Sequence, residues 1–500
     1  MKHTIYTLTA LLLVACTSCN SWFDIRSGSE IRAKDHYNVT RGFRQTLTGC
    51  YISMAQNDLY GKSLTWHALE IMAHQFEPTS STESQNLYGH KLKSTEATRI
   101  FQGVWDKSYN TIVNANDALR ELEARKDALD PIDYAVIKGE LLAIRGYIHF
   151  DLLRLYGYGN WASRAAELDA KLTIPYLKGV DRHITDQLSG ADTYRLILAD
   201  LEEAATLLRD NDPITQKRPK ADYDFVNNDG DYNDRDLFLN YYAVKALQAR
   251  VWLWIGTPEA MQNALVAANE VIEFIQSGGI KNHFNTTIDF LPVSQLTPSN
   301  TSMIREALFA LDVNDMKNST QIYFVPSFEG THPTALFQSP GRVKELFVAT
   351  PLDVRFTKLL IQNTSSSEGV YVPMKFVQQN LDVNHANRIP LIRIPEVYYI
   401  AAEAELATKG SAALGKVAEL LQAVRSKRGV TAPLTLSDVE NAKEEIHKEY
   451  LKEYLAEGVM FFYYKRLGYS DIPGLQESHM TDQEYVIPYP TFEIQNGRVQ

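Results

Sequence analysis

The stretch Glu140–Gly157, ELLAIRGYIHFDLLRLYG, decides the fold. Taken back to Pro131, its apolar residues Ile137, Leu141, Ile144, Ile148, Leu152 and Leu155 recur three or four positions apart, the spacing that lines one face of an α-helix. The pattern predicts a helix over 131–155. Pro131 falls near its first turn, where a missing N–H is tolerated, and Gly157 with Gly159 stops it.

The same period recurs on both sides. It predicts helices over about 98–124, 191–208, 236–255 and 258–276, the last two separated by Gly256-Thr257-Pro258. Further on come 394–407 and 412–427, joined at Lys409-Gly410, and then a single long helix over 436–465. Alanines sit where paired helices would cross (Ala243, Ala246, Ala249, Ala401, Ala402, Ala404), letting the backbones approach. Helix pairs joined by short turns read as a mainly α, tetratricopeptide-like hairpin array, an α/α superhelix without a fixed 34-residue period. The scaffold occupies about 37–277 and 390–468. An insertion over 278–389, rich in Pro, Asn, Ser and Thr, carries short β-like runs such as Ile322-Tyr323-Phe324-Val325. Irregular stretches at 77–96 and 157–184 also break the helices, and loops of this length are the expected working surface.

The N-terminus reads as an export signal over residues 1–18: Lys2, then an apolar run from Ile5 to Ala15 that is shorter than the roughly 20 residues a membrane span requires. Cysteines follow at 16 and 19. Leu13-Val14-Ala15-Cys16 is the better lipidation box by residue type and Thr17-Ser18-Cys19 the looser one; either thiol would carry acyl chains that anchor the mature chain, 19–500, to a membrane. Cys50 is then the only other cysteine, so no disulfide framework is available. Fifty basic against 61 acidic residues, a net charge of −11, argue against nucleic acid and polybasic membrane docking.

Two motifs resemble ligand sites. Gly410 to Lys416 approaches a phosphate-binding loop, but Val417 lacks the metal-holding hydroxyl and the segment joins two helices, so it reads as a hairpin turn. In Asn227–Asp236, Gly230 taken as the sharp turn places Asp229, Asp231, Asn233 and Asp236 at calcium-loop offsets. The first ligand position then falls on Phe225, which cannot coordinate, so a solvated loop is the stronger reading, with calcium the alternative, and no other cofactor is expected. No H-E-x-x-H, G-x-S-x-G or zinc spacing occurs, and the chain reads as a non-enzyme; a surface hydrolase with a dispersed carboxylate pair is the alternative. Aromatic residues on the irregular stretches supply flat faces on which sugar rings stack, each weighed against a place in the core. Trp66, Tyr88, Tyr323 and Phe328 are the expected ligand-binding residues.

In chain order, these segments resemble the SusD/RagB family. Cys19-Asn20-Ser21-Trp22-Phe23-Asp24 is similar to the family's mature start. Trp105, Tyr109, Ile112, Ala115 and Asn116 match its "W…Y..I..AN" helix, and Glu140–Gly157 its "E..ALRA.YYFDL.RLYG" helix. Asp200-Leu201 with Ala204, Ala243 to Val251, Asp353 with Arg355, Arg393 to Ala404, Arg425 with Arg428-Gly429, Glu457-Gly458, and Ile487-Pro488 continue the series. The stretch after Gly458 departs from the pattern, lacking its usual Arg and Asp, as does the loop after Gly157. The resemblance implies an outer-membrane lipoprotein that binds a glycan or oligosaccharide and caps a SusC-like TonB-dependent transporter; peptide-binding members make peptide the alternative ligand. It also moves the lipidation site to Cys19, with Cys16 the alternative.

Overall fold

The computed structural model describes residues 36–180, 183–284, 287–365, 367, 369–378, 381–475 and 479–499. Ten helices carry the scaffold: α1 (Thr40–Met54), α2 (Thr95–Ala124), α3 (Pro131–Tyr156), α4 (Gly190–Arg209), α5 (Tyr241–Ile255), α6 (Pro258–Gln276), α7 (Ile394–Lys409), α8 (Leu414–Lys427), α9 (Val439–Glu453) and α10 (Val459–Leu467). They pack largely on their neighbours in sequence, α1 on α2, α2 on α3, α3 on α4, α5 on α6 and α7 on α8, with α6 against α7 joining the two halves of the chain. This is the helical-hairpin array expected from the apolar period, and α1 has no counterpart among the sequence expectations.

The chemistry of the helix ends explains where they fall. Asp130 accepts the Ile132 N–H ahead of Pro131, Ser94 caps α2 through the Ala97 N–H, and Asn240 caps α5 through the Ala243 N–H. The helix predicted from 236 therefore starts at Tyr241, because Arg235–Leu237 closes a separate 3₁₀ turn. Gly256, at φ +69°, ends α5 before Thr257 caps α6. The segment at Gly410 forms a 3₁₀ turn between α7 and α8, as the hairpin reading requires.

Helix α3 lies at the centre, with every residue but Pro131 and Lys138 buried. Two of its glycines let α4 pack closely: a Cβ on Gly139 would fall 2.8 Å from Leu208, and one on Gly146 3.0 Å from Leu201. The main apolar core runs from Tyr37 to Val499. Many of its buried charges are paired. Arg145 grips Asp200 through two bonds of 2.6 and 2.7 Å, and Arg235 joins Asp212 to Glu140. Arg250 on α5 reaches Glu396 on α7. Fixed charge pairs of this kind specify which helix faces which, more than they add net stability.

The single helix predicted over 436–465 is instead two, α9 and α10. Between them Ala456 and Gly458 take left-handed backbone, φ +72° and +73°, and the carboxyl of Glu70 accepts both their N–H groups. The apolar run Ile322–Val325 is likewise not a strand. It turns at the end of the short helix Met316–Thr320, where the Tyr323 and Phe324 N–H groups both bond the Thr320 carbonyl. The longest strand pair of this region forms the neck of the insertion: β1 (Ala307–Asp312) pairs antiparallel with β2 (Arg388–Arg393), from Ala307 opposite Arg393 to Asp312 opposite Arg388. It ties the segment 307–312 to the exit of the insertion, while a second pair, Leu360–Gln362 with Tyr371–Pro373, lies within it.

Candidate functional site

The segment between α1 and α2 meets the insertion on one face. Gln338 Nε2 donates to the Gln75 carbonyl at 3.1 Å, and the Glu77 N–H donates to the Phe337 carbonyl at 2.9 Å. These bonds bring together stretches about 260 residues apart.

Tyr323 is the organising residue. It is half-buried, and its hydroxyl accepts a hydrogen bond from Lys62 Nζ at 2.6 Å while the ammonium lies 4.6 Å from the ring centre. Trp66 lies 5.1 Å from the same ring, Phe324 sits against Trp66 at 5.4 Å, and His67 meets Tyr323 edge-on at 5.1 Å. Trp66 is 0% exposed and spends its indole N–H on the Gly61 carbonyl. Its expected role as a ligand-stacking surface is therefore corrected: it supports Tyr323 from below and offers no free face. Burial, reinforced by Lys62 and Arg99, holds His67 well below its ordinary pKa, so the imidazole is neutral at pH 7.

Tyr88 closes the short helix Thr82–Tyr88, which Ser81 caps. Its ring stacks on His74 at 3.8 Å and 5°, its hydroxyl donates to the Gly474 carbonyl at 3.1 Å, and His74 Nε2–H donates to the Tyr88 carbonyl at 2.8 Å. His74 and His90 both hold left-handed backbone, φ +52° and +49°, with their rings 5.4 Å apart. Strained non-glycine backbone of this kind gathers at ligand sites. Burial pushes His90 down to about 4. Arg342 donates to the His74 carbonyl and so fixes the insertion to this corner. Phe328 is half-buried beside His332 and Phe337, at 5.5 and 5.8 Å, and its carbonyl accepts from Asn363 Nδ2.

Of the four expected residues, Trp66 and Tyr323 are in contact, and Tyr88 and Phe328 lie on the two stitched stretches. Lys62 and His67 contact Tyr323, His74 stacks on Tyr88 and Arg342 bonds the His74 carbonyl; none of the four carried a signal in the sequence, since each acquires its role from a partner elsewhere in the chain. The other loop aromatics Phe76, Trp161, Phe290 and Phe324 are core residues.

The acidic loop is organised around a cation already in the chain. Asp231 pairs with Arg44, Asn233 Oδ1 accepts from Asn227 at 3.0 Å, Asp229 is exposed, and half-buried Asp236 is pushed up to about 6 by desolvation. Among the described residues no group of three or more His, Cys, Asp or Glu side chains converges as a metal ligand set. Cys16 and Cys19 lie outside the described residues, and among those described no helix is long and apolar enough to cross a membrane.

Two family models match the chain. One, described as starch-binding associating with outer membrane, covers residues 22–226; the other, the SusD family, covers residues 356–497. No curated protein matches. Among solved structures, a SusD superfamily protein from Bacteroides thetaiotaomicron VPI-5482 superposes with a TM-score of 0.70 at 21% identity, over 92% of this chain and 99% of that one. A SusD-like carbohydrate binding protein from Bacteroides vulgatus ATCC 8482 gives 0.68 at 17%, over 92% and 97%. A SusD superfamily protein from Parabacteroides distasonis ATCC 8503 gives 0.66 at 17%, over 94% and 99%. The fold is shared over nearly the whole of each chain.

Proposed function

We propose, on the premise that the chain belongs to the SusD family, that it is a lipid-anchored outer-membrane protein that binds a glycan and passes it to a SusC-like TonB-dependent transporter. The observation that carries this reading is the Tyr323 platform. An aromatic ring held rigidly between Trp66 below and Lys62 beside it presents a face to a sugar ring, while neighbouring polar groups bond its hydroxyls. Tyr88 and Phe328, on the two stretches that meet through Gln75, Glu77, Phe337 and Gln338, are further contacts for the ligand. The relatives support the ligand class, one family model being described as starch-binding and one solved relative as carbohydrate binding. Acyl chains on Cys19 tether the mature chain at one end, which leaves it free to swing as a lid over a transporter barrel. The protein supplies binding and positioning, and no chemical step is assigned to it.

Native affinity electrophoresis through gels containing starch, xylan, mannan and acidic polysaccharides tests the ligand. At least one polymer retards the protein, and Tyr323→Ala abolishes the retardation. Free mobility in every gel, with saturable binding of peptides, replaces glycan by peptide as the ligand. Purification from membranes in mild detergent recovers a large β-barrel partner if the transporter assignment holds. Mass spectrometry of the mature N-terminal peptide finds the acyl group on Cys19; acylation of Cys16 overturns that choice.

A further inference from the structure

We infer that the groove between the first half of α1 and the loop 225–231 is a second glycan-binding site, for a short segment of uncharged oligosaccharide. It is distinct from the Tyr323 face and rests on the glycan reading above for its ligand class.

The groove has a volume of about 520 Å³, within the range of small-molecule sites. One wall is the polar stripe of α1, where Arg41, Arg44, Gln45 and Thr48 share a face at i, i+3, i+4 and i+7. The other is the turn from Phe225 to Asp231. The rest of α1, six residues past Thr48 or about 9 Å at 1.5 Å per helical residue, separates the groove from the loop that carries Lys62 and Trp66.

Phe225 is 88% exposed, the most exposed large apolar side chain among the described residues. It is held in that position. Next to it, Val226 is buried and its carbonyl accepts from Arg44 at 2.5 Å. The Asn227 and Val226 N–H groups both bond the carbonyl of buried Tyr223, and Asn228 Nδ2 donates to the Phe225 carbonyl at 3.0 Å. The backbone is clamped on both sides while the ring faces water, an arrangement that costs hydrophobic free energy unless something else covers the ring.

The floor is equally fixed. Arg44 bridges Asp133 on α3 and Asp231 in the loop, and its guanidinium lies 5.0 Å from the Tyr232 ring centre. With Arg41 and Asp229 at the rim, two arginines face three aspartates, so neither sign of charge dominates. A rigid aromatic lip, amide and hydroxyl groups from Gln45, Asn228 and Thr48, and nearly balanced charge suit a neutral sugar chain. They do not suit a metal ion, because Asp133 and Asp231 are already committed to Arg44. The acidic loop that resembles a calcium site in sequence thus forms a wall of a groove.

Hydroxyl-radical footprinting of the mature protein with maltoheptaose, xylohexaose and mannohexaose tests this. The expected result is protection by one of these probes at residues 40–48 and 225–231 as well as around Tyr323. In Phe225→Ala, protection of 40–48 requires at least tenfold more probe, and protection around Tyr323 is unchanged. Protection around Tyr323 alone overturns the groove and leaves the proposed function standing. Protection in the groove alone supports the second site and overturns Tyr323 as the ligand face. If no probe protects either place, the groove is not a neutral-glycan site, and the polysaccharide gels then decide the wider function separately.

Discussion

The Gly458 N–H donates to Glu70 Oε1 at 2.8 Å, while Oε2 of the same carboxyl accepts the Ala456 N–H at 2.7 Å. A side chain four residues from Trp66 therefore holds the break between α9 and α10 and locks the segment between α1 and α2 to the C-terminal helices. Both partners are far apart in the chain, and the contact is fully buried.

Burial pushes the Glu70 carboxyl up to about 8, against the opposing pull of these two N–H groups and Lys375. The native state then keeps a proton that the unfolded chain, titrating near 4.5, has released. The contribution of Glu70 to stability accordingly falls as pH rises from about 4.5 to about 8 and is constant above. Glu70→Gln places an amide N–H against backbone donors and costs about 1–3 kcal/mol at low pH. Urea unfolding across this range should show the advantage of wild type over the variant shrinking with pH; parallel profiles would refute the assignment.

His149 has the opposite sign. Its Nδ1–H donates to the Arg145 carbonyl at 2.9 Å and its Nε2 accepts the Leu177 N–H at 3.1 Å, which fixes a neutral imidazole, and burial pushes it down to about 3. Its stabilising contribution is fully present above pH 6.5 and is lost as pH falls toward 3, where the unfolded chain binds a proton that the native state refuses. In His149→Gln the acid limb of the stability curve loses up to one proton of slope, measured by unfolding free energies between pH 4 and 7. His90 and His447, both pushed down to about 4, leave the rest of that limb in place.

Arg393 lies at the neck of the insertion, bonded to Glu453 at 2.7 Å, Glu457 at 2.8 Å and Glu306 at 3.3 Å. Replacing it with Met takes one cation out of a buried network in which Arg428 still holds Glu306 and Glu453 and Lys375 still holds Glu457, leaving one negative charge uncompensated, and the expected loss is about 3–5 kcal/mol. The exposed pair Lys448–Glu444 is the control, since Lys448→Met should change stability by roughly 0.5 kcal/mol or less. Equal effects at the two positions would remove the neck network from the account of the fold.

Trp66 and Tyr323 should separate stability from binding. Trp66→Ala empties a buried site and costs roughly 3–5 kcal/mol. Tyr323→Ala removes a half-buried ring and should cost less than half as much, yet weaken glycan binding at least tenfold. Thermal unfolding and affinity gels on both variants check this; a Tyr323 variant with wild-type retardation places the ligand elsewhere.

Much of the fold was legible because its recurring residues answer local demands. The apolar period gave most of the scaffold helices, and Pro131, Gly157 and Gly256 marked their ends. The charged residues that carry the family resemblance, Glu140, Arg145, Arg250, Arg355, Arg393, Glu396, Arg428 and Glu457, lie in buried ion pairs that join one element to another. A buried charge needs its specific partner, so such positions leave a readable pattern. They identify the fold and are silent about the ligand.

By itself, the sequence determined a helical-hairpin array with a loop-rich insertion, and the family to which that array belongs. Tertiary structure alone decided that Trp66 is buried while Tyr323 beside it is not, that Lys62 reaches Tyr323 across 261 positions, and that Glu70 holds the break between α9 and α10. Helical period is a property of neighbours in the chain and is written there. Exposure and long-range hydrogen bonding depend on which segments the packed core brings together, and no local pattern of residues contains that information.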